Sequence, residues 1–121
     1  MKLYGYKGCG TCKKANKWLA EHGIELEEIP IRDRPPSLAE LKKMLVYMEG
    51  DLKKLFNTSG GDYRALGISE KLPKLSEKQA LELLASNGNL VKRPFVLTPK
   101  GGTVGFKPEV WAELFGKRNR N

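Results

Sequence analysis

Apolar positions recur at two different periods along this chain, and the switches between them divide it into elements. Residues 2–6, carrying the run Leu3-Tyr4-Gly5-Tyr6, predict a strand. From residue 11 to residue 22 the spacing becomes helical, with Cys12, Ala15, Trp18, Leu19 and His22 along one side, and Gly23 supplies the stop. Ile24 to Ile29 returns to alternation, apolar against acidic, and predicts a second strand. A strand, a helix and a strand in that order make a β-α-β unit, so the two strands are expected to be parallel.

Pro35-Pro36 then breaks the chain, and two helices announce themselves by their starts. Ser37 followed by Glu40 has the spacing of a capping box, as does Ser76 followed by Gln79. Leu38, Leu41, Leu45 and Met48 share a face after the first, and Gly50 ends that helix. Residues 51–72 carry short helical patterns around a turn at Asn57-Thr58-Ser59-Gly60-Gly61, and the helix opened by Ser76 runs through Leu84 to a stop at Gly88. After Arg93-Pro94 the period is that of strands. Phe95-Val96-Leu97 and Thr103-Val104-Gly105-Phe106 are joined by a hairpin at Pro99-Lys100-Gly101-Gly102. Pro108 opens a last helix with Val110, Trp111, Leu114 and Phe115 apolar. The whole reads as an α/β chain of the thioredoxin or glutaredoxin layout, three layers with helices packed on a sheet. One domain spans residues 1–121. Its core comprises 1–33 and 88–116, and a helical insertion over 34–87 separates the β-α-β half from the β-β-α half.

Composition narrows the setting. The 121 residues are 40% hydrophobic, enough for a core, and contain no apolar run of membrane-spanning length. Met1-Lys2-Leu3-Tyr4 lacks the apolar stretch of a secretory leader, so a cytoplasmic location is expected. The formal net charge is +8, but lysines and arginines are mixed with acidic residues except in the tail Lys117-Arg118-Asn119-Arg120. No zinc-finger or RNA-binding signature accompanies it, and direct nucleic-acid binding is not expected. The charge serves solubility and the steering of anionic substrates.

The chemistry concentrates at Cys9-Gly10-Thr11-Cys12, placed where a strand hands over to a helix. Backbone N–H groups at a helix start favour negative charge, so a cysteine there is a candidate thiolate. Cys12 follows three residues later on nearly the same face, within reach for a disulfide. Lys13 and Lys14 add positive charge. Half a zinc site and a pair of inert buried cysteines are the alternatives. The chain holds two cysteines and one histidine, and His22 stands about 15 Å away along the same helix, too few ligands for a structural zinc site. No metal site is expected. No nucleotide-binding glycine motif is present either.

Four segments carry a resemblance to a known group. They are Cys9-Gly10-Thr11-Cys12-Lys13-Lys14-Ala15, then Leu55 through Gly67, then Leu90-Val91-Lys92-Arg93-Pro94, then Val104-Gly105-Phe106-Lys107. Together they resemble the glutaredoxin-coupled arsenate reductase and Spx/MgsR family of thioredoxin-fold proteins, over essentially the whole chain. The resemblance implies that the Arg93–Pro94 bond is cis, that Pro94 shapes a docking groove facing the sulfur, and that Arg93 stabilises a thiolate or an oxyanion. Of the three arginines that arsenate reductases of this group place around the oxyanion, one matches Arg93. Asn57 and Lys107 stand at the other two positions. The group's single-cysteine members lack the second cysteine, which is Cys12 here. These features imply a thiol–disulfide oxidoreductase with Cys9 as nucleophile, Cys12 as resolving thiol and Arg93 as the third catalytic group. Lys13, Pro94, Asn57 and Lys107 line the substrate site. No cofactor is implied beyond glutathione as a co-substrate, and the partners are thiol or disulfide proteins. Two other readings follow from the same family. One is a redox-sensing regulator that binds the C-terminal domain of the RNA polymerase α subunit; the other is an arsenate reductase dependent on glutathione and glutaredoxin.

Overall fold

The computed structural model describes residues 1–116, and the basic run Lys117–Arg120 lies outside the described residues. Four strands form one sheet: β1 (Lys2–Gly5), β2 (Glu27–Pro30), β3 (Phe95–Thr98) and β4 (Gly101–Val104), in the order β2-β1-β3-β4. β1 and β2 run parallel with Gly5 opposite Pro30, because helix α1 (Gly10–Glu21) carries the chain back between them. β3 lies antiparallel to both β1 and β4. This mixed sheet, with helices on both faces, is the thioredoxin-like α/β fold.

β2 starts later than the alternation from Ile24 predicts. Ile24 donates its N–H to the Leu19 carbonyl at 3.0 Å, so it still belongs to the exit from α1. Ile24 and Leu26 pack beside that helix before the ladder begins at Glu27. The hairpin also differs from the sequence expectation. Thr98 pairs with Gly101, so the connection is only Pro99-Lys100, and both glycines lie inside β4. The Thr98 hydroxyl closes the turn by accepting from the Lys100 and Gly101 N–H groups. Gly102 is there for space: a Cβ would stand 2.8 Å from the Val96 carbonyl oxygen and 3.0 Å from Met44. The glycine pair marks a helix packed close on the strand, not a turn. Phe106 consequently lies beyond the strand.

Helices α2 (Leu38–Tyr47) and α5 (Glu77–Ser86) both begin with the capping boxes read from the sequence, Ser37 with Glu40 and Ser76 with Gln79. Between them lie α3 (Gly61–Ala65) and α4 (Ile68–Lys71). Single 3₁₀ turns occupy Leu52–Leu55, Leu72–Lys74 and Gly88–Leu90. The last helix, α6, is Pro108–Gly116.

The sheet divides two apolar cores of unequal size, because side chains alternate across the strands. One core joins Tyr4, Ile29 and Phe95 to Leu41, Met44, Leu81, Leu84 and their neighbours from the 38–91 region. The other joins Leu3 and Val96 to Ala15 and Leu19 of α1 and to Trp111 and Phe115 of α6. Trp111 is fully buried and donates its indole N–H to the Gly105 carbonyl at 3.2 Å. Between β1 and α2, the Tyr4 hydroxyl donates to Glu40 at 2.7 Å and Lys2 reaches the other Glu40 oxygen at 3.2 Å. Among the described residues no helix is long and apolar enough to cross a membrane.

Candidate functional site

The chain leaves β1 at Gly5, turns through Tyr6 and Gly8, and enters α1 with Cys9 as its N-cap. Serine or aspartate usually fills that role with an oxygen; here the Cys9 sulfur accepts the Cys12 N–H at 3.2 Å. The Cys9 N–H is held by the Tyr6 carbonyl at 3.1 Å, and its own carbonyl accepts from Lys13. Cys9 is thus half-buried, with its sulfur aimed along the open N-terminal turn of α1.

Cys12 is different in kind. It is 1% exposed and lies against β1. A Cβ on Gly5 would stand 3.0 Å from its sulfur, so the absence of a side chain at Gly5 makes room for the thiol. Burial, reinforced by the hydrogen bond to Cys9, pushes the Cys12 thiol from its ordinary 9.0 up to about 12, against smaller opposing effects from the Tyr6 backbone and Arg93. The two cysteines are both free thiols, one reachable and one sheltered.

Three further side chains gather beside them. The Arg93–Pro94 peptide bond is cis and leads directly into β3. The Arg93 guanidinium stands 4.4 Å from the Tyr6 ring centroid, and Arg32 stands 4.1 Å from the same centroid. A Cβ on Gly8 would meet the edge of that ring at 2.8 Å, so the ring is also seated against the cysteine loop. The Arg93 Nη1 is buried and has no hydrogen-bond partner among the described residues. A buried donor without an acceptor is costly, and an anion arriving there would relieve it.

Sequence reasoning did not find Tyr6 or Arg32. A partial signal was available: β1 and β2 are parallel neighbours with Gly5 opposite Pro30, so the residues within two positions past their carboxyl ends, Tyr6 and Arg32 among them, come to the same edge.

The remaining expected site residues are spread around the pair. Pro94 is buried below the site and Lys13 is exposed on α1. Asn57 is buried and turned into its own loop, accepting from the Ser59 hydroxyl at 3.3 Å and packing against Gly60. Lys107 is exposed at the start of α6, where it shares the wall of a groove with Thr11 of the cysteine loop. That groove has a volume of about 600 Å³. A second hollow of about 510 Å³, between α1 and the approach to β2, touches none of these residues. Among the described residues no cluster of three or more His, Cys, Asp or Glu side chains could hold a metal ion.

Compared with known families, residues 4–114 match the model of the ArsC family. The chain belongs to the ArsC family. The uncharacterized protein YusI of Bacillus subtilis is 51% identical over 113 residues, which are 93% of this chain and 96% of that protein. The global transcriptional regulator Spx of Listeria innocua is 30% identical over 118 residues, covering 98% of this chain and 88% of the regulator. An ArsC family related protein from Bacteroides fragilis superposes with a TM-score of 0.88 at 46% identity, over 93% of this chain and 95% of that one. The arsenate reductase from Vibrio cholerae shares the fold at a TM-score of 0.79 and 22% identity, over 93% of this chain and 97% of that one. The relatives of this chain thus include both a transcriptional regulator and an arsenate reductase, and the cysteine pair must be judged on its own geometry.

Proposed function

We propose that this ArsC-family chain is a cytoplasmic thiol–disulfide oxidoreductase working through Cys9 and Cys12. The observation that carries the reading is the Cys9 sulfur as N-cap of α1, bound by the Cys12 N–H at 3.2 Å, with the buried Cys12 thiol in the same turn.

The steps balance as thiol–disulfide exchange. The Cys9 thiolate attacks one sulfur of a partner disulfide, and the other partner sulfur leaves as a thiolate. Cys12 then loses its proton and attacks Cys9, releasing the second partner thiol. The partner gains two electrons and the chain is left with a Cys9–Cys12 disulfide. A thiol donor of the glutathione class returns both electrons by the reverse exchange. Arg93, with its unpartnered Nη1 beside the cysteines, offers charge to the anionic sulfur at each stage. Lys13 borders the approach, Pro94 underlies it, Lys107 lies along the groove wall, and Asn57 supports its own loop.

Titration of the purified protein against a thiol–disulfide buffer, followed by alkylation and intact mass, tests this. A reversible two-electron transition to an intrachain disulfide is expected. Cys9→Ser abolishes exchange, whereas Cys12→Ser accumulates mixed disulfides. A protein that forms no disulfide at any poise, or two serine variants with undiminished exchange, overturns the mechanism.

A second reading has its own support. The likeness to Spx runs over nearly the whole chain at 30% identity, so the same pair can serve as the switch of a regulator that binds the α subunit of RNA polymerase. Retention of the polymerase α subunit by the oxidised protein, and not by the reduced one, is the outcome that reading requires. Arsenate reduction is the weaker third reading, because Asn57 is engaged within its own loop and Lys107 lacks the planar fork of an arginine.

A further inference from the structure

The groove beside Thr11 is lined by Lys53, Lys54, Lys92 and Lys107, against a single acidic side chain, Asp51. Asp51 already accepts the Lys53 N–H at 3.2 Å as the cap of the Leu52–Leu55 turn. None of the four lysines makes an ion pair among the described residues, where Lys2–Glu40 is the salt bridge present. Three separate stretches of chain deliver these charges: residues 51–54 after α2, Lys92 before the cis proline, and Lys107 before α6. The floor between them is apolar, with Met48, Val104 and Phe106. Thr11, which lies between the two cysteines in sequence, contributes to the groove wall.

We infer that this groove docks an acidic polypeptide segment of the protein whose disulfide Cys9 attacks. The inference rests on the exchange reading above and adds the substrate class to it. Four positive charges over an apolar floor complement a segment that alternates carboxylates with apolar side chains. Thr11 ties the two sites together, because it lines the groove and belongs to the turn of α1 that carries both cysteines. That proximity favours a polypeptide over a nucleic acid, since only a polypeptide brings a sulfur to exchange. The charge also acts before contact: a groove of one sign raises the encounter rate of an oppositely charged partner, and salt removes the advantage.

The test uses the full chain and two short peptides, each carrying one cysteine as its mixed disulfide with 2-thiopyridine. One peptide is flanked by glutamates and the other by lysines. The rate of thione release is read at low salt and at 1 M salt, with neutral 2,2′-dipyridyl disulfide as the reference. At low salt the acidic peptide is expected to react roughly tenfold or more faster than the basic one. The ratio should fall towards unity at 1 M salt, where the Debye length is about 3 Å. The double variant Lys53→Glu/Lys54→Glu reverses the sign of the groove and is expected to lower the ratio below unity at low salt. Because each protein is compared with itself, a change in its absolute rate does not disturb the readout.

Equal rates for the two peptides, with a normal reaction of the neutral disulfide, overturn the acidic docking site and leave the exchange reading standing. An inert neutral disulfide overturns the exchange reading. In that case anisotropy of labelled, cysteine-free versions of the same peptides decides the docking separately, and equal affinities overturn it. A single-stranded oligonucleotide that binds more tightly than the acidic peptide also overturns the inference and gives the groove to nucleic acid.

Discussion

The sheltered position of Cys12 makes a kinetic statement that pH can test. Raising a thiol from 9.0 to about 12 lowers its thiolate fraction at neutral pH about 1,000-fold. The more basic thiolate is also the better nucleophile, and a Brønsted coefficient of about 0.4–0.5 returns about 16- to 32-fold. Attack by Cys12 should therefore start up to about 30- to 60-fold slower than by an ordinary thiol held at equal distance, the upper figure applying where the Cys9 contribution to the shift persists. Burial is the largest cause of the shift, and it persists when Cys9 is tied up in a mixed disulfide. The sign follows: burial alone still holds the Cys12 thiol above its ordinary 9.0, so resolution keeps accelerating with pH beyond 9, with no plateau there. Stopped-flow reaction of the reduced protein with excess 2,2′-dipyridyl disulfide separates the events. The first thione release reports Cys9 and depends on reagent concentration; the concentration-independent part of the second reports Cys12. A second phase that levels off near pH 9 would refute the reasoning. So would site-resolved alkylation in which Cys12 reacts as fast as a cysteine in a short peptide.

Three further outcomes follow from particular contacts. Gly5→Ala puts a methyl 3.0 Å from the Cys12 sulfur, so the second thione phase should change while the first persists, and thermal unfolding should show a loss of about 1–3 kcal/mol. Gly88→Ala drives a methyl into the Ile31 carbonyl and close to the Arg32 backbone, costing at least about 1–3 kcal/mol in urea unfolding; unchanged stability would mean the two segments are not packed as described. Burial alone would raise the Glu40 carboxyl, but the Ser37 N–H, the Tyr4 hydroxyl and Lys2 outweigh it and hold it below its ordinary 4.5. Its stabilising effect is therefore complete above pH 4.5 and is lost as acid carries the protein through the lower folded value. Glu40→Gln should show a shallower fall of stability below pH 4.5 than the parent in acid titrations followed by circular dichroism.

Local chemistry made much of this fold legible in advance. Ser37 with Glu40 and Ser76 with Gln79 announce their helices because a capping box satisfies backbone donors within one turn, whatever the rest of the chain does. Cys9 at the head of α1 was readable for the same reason. The cis bond at Pro94 came from family likeness, since nothing in the dipeptide itself demands it. What escaped depends on distant partners. Gly101 and Gly102 look like a turn until Met44 and Tyr47 are seen over the strand. Tyr6, Arg32 and Arg93 meet only through strand pairing, and their cluster is not written in any one stretch. The four groove lysines looked like dispersed solubilising charge because they come from separate segments.

The smaller core also makes the chain a natural reporter of unfolding on one face of its sheet. Both tryptophans, Trp18 on α1 and Trp111 on α6, lie on that side of the sheet with ring centroids 5.6 Å apart, and the larger core holds neither. Trp18 shares its helix with the cysteine pair and stacks on His22 at 3.9 Å. Intrinsic tryptophan emission therefore watches the face that bears the cysteines, while loosening of the 38–91 helices is visible only to tyrosines such as Tyr4 and Tyr63. Following both signals through one denaturation curve separates events on the two faces without adding a label.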